Sequence, residues 1–152
     1  MILLKHVDGE WVRGTWTICS PVDKQSKNSV LGVFLEDAKI NYPSYAKGIV
    51  VLINHAADHP LGPKRLHNEL VRVVNNEHKI YEFRKGPLRV FAFSDGSSRL
   101  VICAAGRVKQ GQKVDKSAVQ EAIDLSESYR KLSPQQRSAS LKTKEELENG
   151  HI

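Results

Sequence analysis

The chain has 152 residues, 40% of them hydrophobic, which is enough for one domain with a real core and too few for two comfortable ones. It holds no run of about 18 apolar residues to span a bilayer, and Lys5, Asp8 and Glu10 break the amino-terminal stretch where a signal peptide needs an apolar centre, so a cytoplasmic protein is expected. The formal charge of +6 is concentrated mid-chain: residues 60–116 hold 12 Lys and Arg against 5 Asp and Glu, and the remainder 11 against 12. That suits phosphate-rich or acidic partners as well as it suits solubility.

In chain order, GTWTICSPV (14–22) reads as a strand closed by Ser20-Pro21. A helix follows from a cap at Asn28 or Ser29, with Val30, Val33, Phe34 and Ala38 on one face, until Pro43 interrupts it. A second helix is predicted from the cap Ser44, carrying Tyr45, Ile49, Leu52, Ile53 and Ala56 on one side and stopping before HPLGPKR. The two form a helical hairpin. Residues 66–79, LHNELVRVVNNEHK, fit a helix by the spacing of Leu66, Leu70, Val71 and Val74, and a strand by the β-branched cluster; a short helix or irregular connector is the reading taken.

Three strand-like runs come next, KIYEFR, LRVFAF and RLVICAA, separated by Lys85-Gly86-Pro87 and by the polar turn 94–98. They predict an antiparallel three-stranded meander, with RLVICAA central and covered on both faces. Ser117 and Gln120 form a capping box for a further helix with Val119, Ala122, Ile123, Ser126 and Tyr129 along one side, ending near Leu132. The expected fold is therefore α+β: an amino-terminal strand, a helical hairpin, the meander and a carboxy-terminal helix. Residues 1–132 make the domain. Residues 133–152 read as a polar tail with weak helix starts at Ser133-Pro134 and Thr143, ordered marginally or by a partner.

Cys19 and Cys103 stand far apart in apolar contexts and read as small buried hydrophobes, not a disulfide framework or metal knuckle. His55 and His59 have the i, i+4 spacing of a metal pair, but no third ligand is evident. No phosphate-binding glycine loop or Cys-x-x-Cys pair is present, so no cofactor is implied.

The chemistry concentrates in KIYEFRKGPLRVFAF (79–93). Pairing Arg84 opposite Arg89 across the Gly-Pro turn puts Ile80, Glu82, Arg84, Arg89, Phe91 and Phe93 on one face and Tyr81, Phe83, Val90 and Ala92 on the other. Like charges directly opposite one another are destabilising, so the arginines need either an acidic partner, for which Glu82 is a candidate, or a ligand. The ligand reading is a phosphate fork, with Phe91 and Phe93 free to stack a base and basic groups arriving from Arg107, Lys109 and Lys113. Lys64 and Arg65, in the turn between the second helix and the connector, lie on the same basic stretch and are candidate RNA contacts.

These stretches, with SDGSSRLVI and the AGRVKQGQK loop, resemble the RelE/ParE toxin superfamily, in particular its HigB-like, phage-derived branch, over about residues 14–130. Tyr81, Glu82 and Arg84 match its first motif, Arg89 with Phe91 and Phe93 its second, and Gly106, Lys109, Gln112 and Lys113 its third. Where that branch often carries histidine before the glycine, this chain has Ala105, and Arg107 stands where phenylalanine is usual.

The resemblance implies a RelE-like fold and a toxin neutralised by a cognate antitoxin protein. Its activity would be metal-independent, ribosome-dependent cleavage of mRNA. The gyrase-inhibiting branch supplies the alternative, a catalytically silent chain that acts by binding a host protein. For cleavage, Arg89 and Arg84 would stabilise the pentacoordinate phosphorane, and Lys109, Lys113 or Tyr81 would carry the proton.

Overall fold

The computed structural model describes residues 4–6, 15–23, 25–58 and 70–142. Its elements run β1 (Leu4–His6), β2 (Thr17–Pro21), α1 (Val30–Asn41), α2 (Pro43–Asp58), β3 (Val71–Asn75), β4 (Ile80–Lys85), β5 (Leu88–Asp95), β6 (Leu100–Val108), α3 (Lys116–Arg130), α4 (Pro134–Ser140) and β7 (Leu141–Lys142). The architecture is α+β around one mixed sheet of order β3-β4-β5-β6-β2-β1-β7. Among the described residues no helix is long and apolar enough to cross a membrane.

The meander has four strands, because β3 pairs antiparallel with β4 and extends it to the sheet edge. Residues 71–75 are thus a strand and not a short helix or connector. Val71 is fully buried, and its β-branched neighbours Val73 and Val74 suit a pleated, half-covered surface. Beyond β6 the sheet continues with β2 parallel to β6, Thr17 beside Leu100.

The helical hairpin lies on one face. Leu31, Leu35 and Ala38 of α1 and Ala46, Ile49, Val50, Ile53, Ala56 and Ala57 of α2 pack on Ile18, Phe83, Val90, Ala92, Val101 and Cys103. The buried stripe of α1 is therefore rotated from the face read in the sequence, leaving Phe34 at its margin. Ser29 caps α1, its side chain accepting from the Gly32 N–H, and Pro43 opens α2, where a missing N–H costs nothing. Tyr45 is exposed on that helix.

Helix α3 covers the other face with Ala118, Ala122, Ile123, Ser126 and Tyr129, set against Ile80, Phe91, Phe93, Leu100, Ile102 and Ala105. Its cap is Asp115, two residues before the expected box, with the side chain accepting from the Ala118 N–H at 2.9 Å. Strand β6 is covered on both faces, as its apolar run requires.

The segment after Leu132 is partly built into this frame. Ser133 and Gln136 form a reciprocal capping box for α4. Arg137 stacks 5.0 Å from the Tyr129 ring centre and donates to the carbonyls of Tyr129 and Arg130, and β7 pairs parallel with β1. The capping box read at Thr143 lies outside the described residues.

A candidate anion site on an arginine row

The β4–β5 turn fixes the site. Gly86 takes φ +55°, a conformation that disfavours side chains, and the Tyr45 ring lies 2.5 Å from where a Cβ would stand. With that turn closed, Arg84 pairs opposite Arg89, and Arg89 opposite Arg107 of β6. Three arginines therefore stand in one row across three neighbouring strands. The adjacent row is Arg72, Glu82, Phe91 and Ala105. Because side chains two apart share a face, all seven belong to the α3 face, as the register of the hairpin predicts.

Each charge in the cluster has a different environment. Glu82 is 2% exposed and accepts from Arg72 Nε at 3.0 Å, with Arg84 Nε at 3.5 Å. A buried carboxylate held by two guanidiniums meets the requirement that buried charge be paired. Arg107 pairs with Glu121 and lies 3.8 Å from the Asp115 carboxylate, so two acids of α3 already answer it. It is poorly placed to be the RNA contact expected of it.

Arg89 is 8% exposed, and no acid pairs with it among the described residues. Its Nη1 donates to the Gly86 carbonyl at 2.6 Å and the Leu88 carbonyl at 2.8 Å, while Nε has no hydrogen-bond partner. Burial, then Arg84, with a smaller push from Arg72, pulls this guanidinium below its usual range; Glu82 acts in the opposite sense. An unpartnered buried donor costs about 1–3 kcal/mol. The turn carbonyls thus lock the guanidinium by one nitrogen, and Nε is buried without a partner.

Of the other residues singled out by sequence, Lys109 adjoins this turn, its backbone N–H donating to the Pro87 carbonyl at 2.7 Å. Lys113 and Gln112 are exposed on the loop between β6 and α3. Tyr81 is buried on the opposite face of the sheet, its phenol raised by burial and in hydrogen-bonding contact with Ser94. The sheet itself separates it from the arginines, which removes it as a proton carrier for a phosphate bound there.

Phe91 and Phe93 are also misplaced for base stacking, since both are buried beneath α3, Phe93 with its ring centre 5.9 Å from that of Tyr129. They are core residues and present no face to a base. Gly106 has a packing reason, since an added Cβ would lie 2.3 Å from the Phe34 ring. Lys64, Arg65 and His59 lie outside the described residues, and His55 is exposed on α2. Among the described residues no group of three His, Cys, Asp or Glu side chains is arranged to hold a metal ion.

The sequence reading missed Arg72. Its signal was the alternation Val71, Arg72, Val73, which becomes legible only once residues 71–75 are taken as a strand. No protein-family model matches this chain, and no curated protein matches it.

Proposed function

We propose that this protein is a toxin of the RelE/ParE type, of the HigB-like, phage-derived branch, that binds mRNA on the ribosome and cleaves it, and that a cognate antitoxin restrains it. The observation that carries the reading is Arg89: a guanidinium 8% exposed, anchored by Nη1 to two turn carbonyls, with an unpartnered Nε and Arg84 beside it. A structural role alone does not account for burying a cation with an idle donor between two other arginines. A phosphate held by the accessible part of the Arg89 guanidinium and by Arg84 would offset the repulsion along the row.

In the reaction, the RNA 2′-hydroxyl attacks its own phosphorus and the bond to the 5′-oxygen breaks, giving a 2′,3′-cyclic phosphate and a 5′-hydroxyl. Arg89 and Arg84 hold the non-bridging oxygens as negative charge grows on them, which favours the transition state over the ground state. A lysine of the loop after β6, Lys109 beside the turn or Lys113, transfers the proton. These steps require no metal ion.

A second reading has an observation of its own. Ala105 is buried against Phe91 where the branch often carries histidine, and Tyr81 faces away, so the row is better supplied with cations than with proton carriers. A chain of this kind that bound a host protein such as gyrase would be a silent member of the superfamily. Adding purified protein to an in vitro translation reaction and mapping mRNA 5′ ends by primer extension separates the two. New ends within translated codons support the nuclease; intact mRNA with inhibited DNA supercoiling supports the binder.

A further inference from the structure

We infer that Arg72, on the edge strand β3, is a ligand for a second phosphate, the one flanking the phosphate held by Arg89, so that the RNA backbone crosses the strands from β5 towards β3. This rests on the proposed RNA-binding role of the row and extends its footprint by one nucleotide.

Arg72 lies on the same face as Arg84 and Arg89 and is 42% exposed. Among the described residues its guanidinium makes one hydrogen bond, from Nε to the buried Glu82 at 3.0 Å. Glu82 is thereby a positioning residue: fixed in the sheet at 2% exposure, it holds the Nε edge and leaves both Nη groups for a ligand. A guanidinium tied in this way has lost much of its rotamer freedom before any ligand arrives, which lowers the cost of binding.

Spacing separates this role from that of Arg89. Neighbouring strands lie about 4.8 Å apart, so β3 stands roughly 10 Å from β5 across the sheet. Arg72 stands one row over from Arg89 with its Nε edge turned to Glu82, so consecutive phosphates of an extended single strand suit the two arginines better than one shared phosphate. Arg107, on the β6 side of Arg89, is answered by Glu121 and Asp115, which directs the backbone towards β3 and away from β6.

The test compares Arg72→Ala and Arg72→Lys with the unaltered protein by NMR titration at low salt, using a dinucleoside monophosphate, UpU, and a trinucleoside diphosphate, UpUpU. Arg72→Ala should leave the affinity for UpU within twofold and lower that for UpUpU about 5–10-fold. With a longer oligouridine the slope of log K against log salt should fall by about 0.7, the value of one single-strand phosphate contact. Arg72→Lys should restore the slope but only part of the affinity, since an ammonium has no Nε edge for Glu82 to hold. Lys39→Ala, which removes a charge from α1 on the opposite face, should change neither. Equal loss on both oligomers, or no loss on UpUpU, overturns the inference while the proposed function stands. An unaltered protein that binds neither oligomer, nor the longer oligouridine, removes both.

Discussion

Replacing Arg89 by alanine sets a structural role against a functional one with numbers that do not overlap. The variant loses two hydrogen bonds from a charged donor, to the carbonyls of Gly86 and Leu88, each worth about 1.5–3 kcal/mol. Against this, it removes the unpartnered Nε, a relief of about 1–3 kcal/mol, and the like-charge contacts with its neighbours in the row, some tenths of a kcal/mol. Gly86 is exposed, so its carbonyl rehydrates. The balance is a loss on the order of 2 kcal/mol, or a Tm lower by roughly 4–8 °C for a chain of this size. A domain with about 5–15 kcal/mol of stability stays well over 95% folded after such a loss. Instability therefore reduces activity by a few per cent at most. Loss of one charge-stabilising donor in a site costs about 10²–10³ in rate, so cleavage in the translation assay should fall by that much in a protein that still melts cooperatively. Arg89→Lys should recover part of it. A folded Arg89→Ala protein that cleaves mRNA at the original rate refutes the assignment.

Gly106→Ala should destabilise by about 1–3 kcal/mol, since the new methyl meets the Phe34 ring; the cleft of about 330 Å³ that Phe34 lines with Asp37, Asn41 and Tyr42 gives the ring somewhere to move and keeps the loss at the lower end, as denaturant titration will show. Burial and the hydrogen bond to Asp95 raise the Tyr129 phenol, and burial raises Tyr81. Both folded values exceed the unfolded value of about 10, so their contribution is present below that pH and is lost as pH rises through the folded values; phenolate absorbance at 295 nm from these two should appear at higher pH than from an unfolded chain, and Tyr129→Phe, which strips Asp95 of a 2.6 Å partner, should weaken the domain by about 1–3 kcal/mol. Ending the chain after Leu132 removes Arg137 and β7 together; it should lower Tm by roughly 10 °C, on the order of 3 kcal/mol in a chain of this size, and an unchanged melting curve would mean that α4 is not tied to the frame.

The residues themselves determine what depends on neighbours in sequence. Gly86-Pro87 sets a two-residue turn, so the register of Arg84 against Arg89, and with it the common face of the two arginines, follows from alternation alone. Pro43 and the polar cap at Ser29 likewise bound the helical hairpin, and the apolar run Leu100–Ala105 of β6 announces burial on both faces. Tertiary structure decided the rest, because a period of two says which side chains share a face and not what covers it. Only the docking of α3 turns Phe91 and Phe93 into core, and only its Glu121 and Asp115 neutralise Arg107. The pairing of β3 with β4 is what brings Arg72 to Glu82, ten positions away; local preference for residues 66–79 was divided between helix and strand, and the open edge of β4 settled residues 71–75 as strand. The tail is the same case at longer range, since Arg137 reads as an isolated surface charge until α4 folds back onto Tyr129 and Asp95. Contacts made across the fold leave little trace in any one stretch of chain, for their free energy belongs to surfaces that exist only once the sheet has formed.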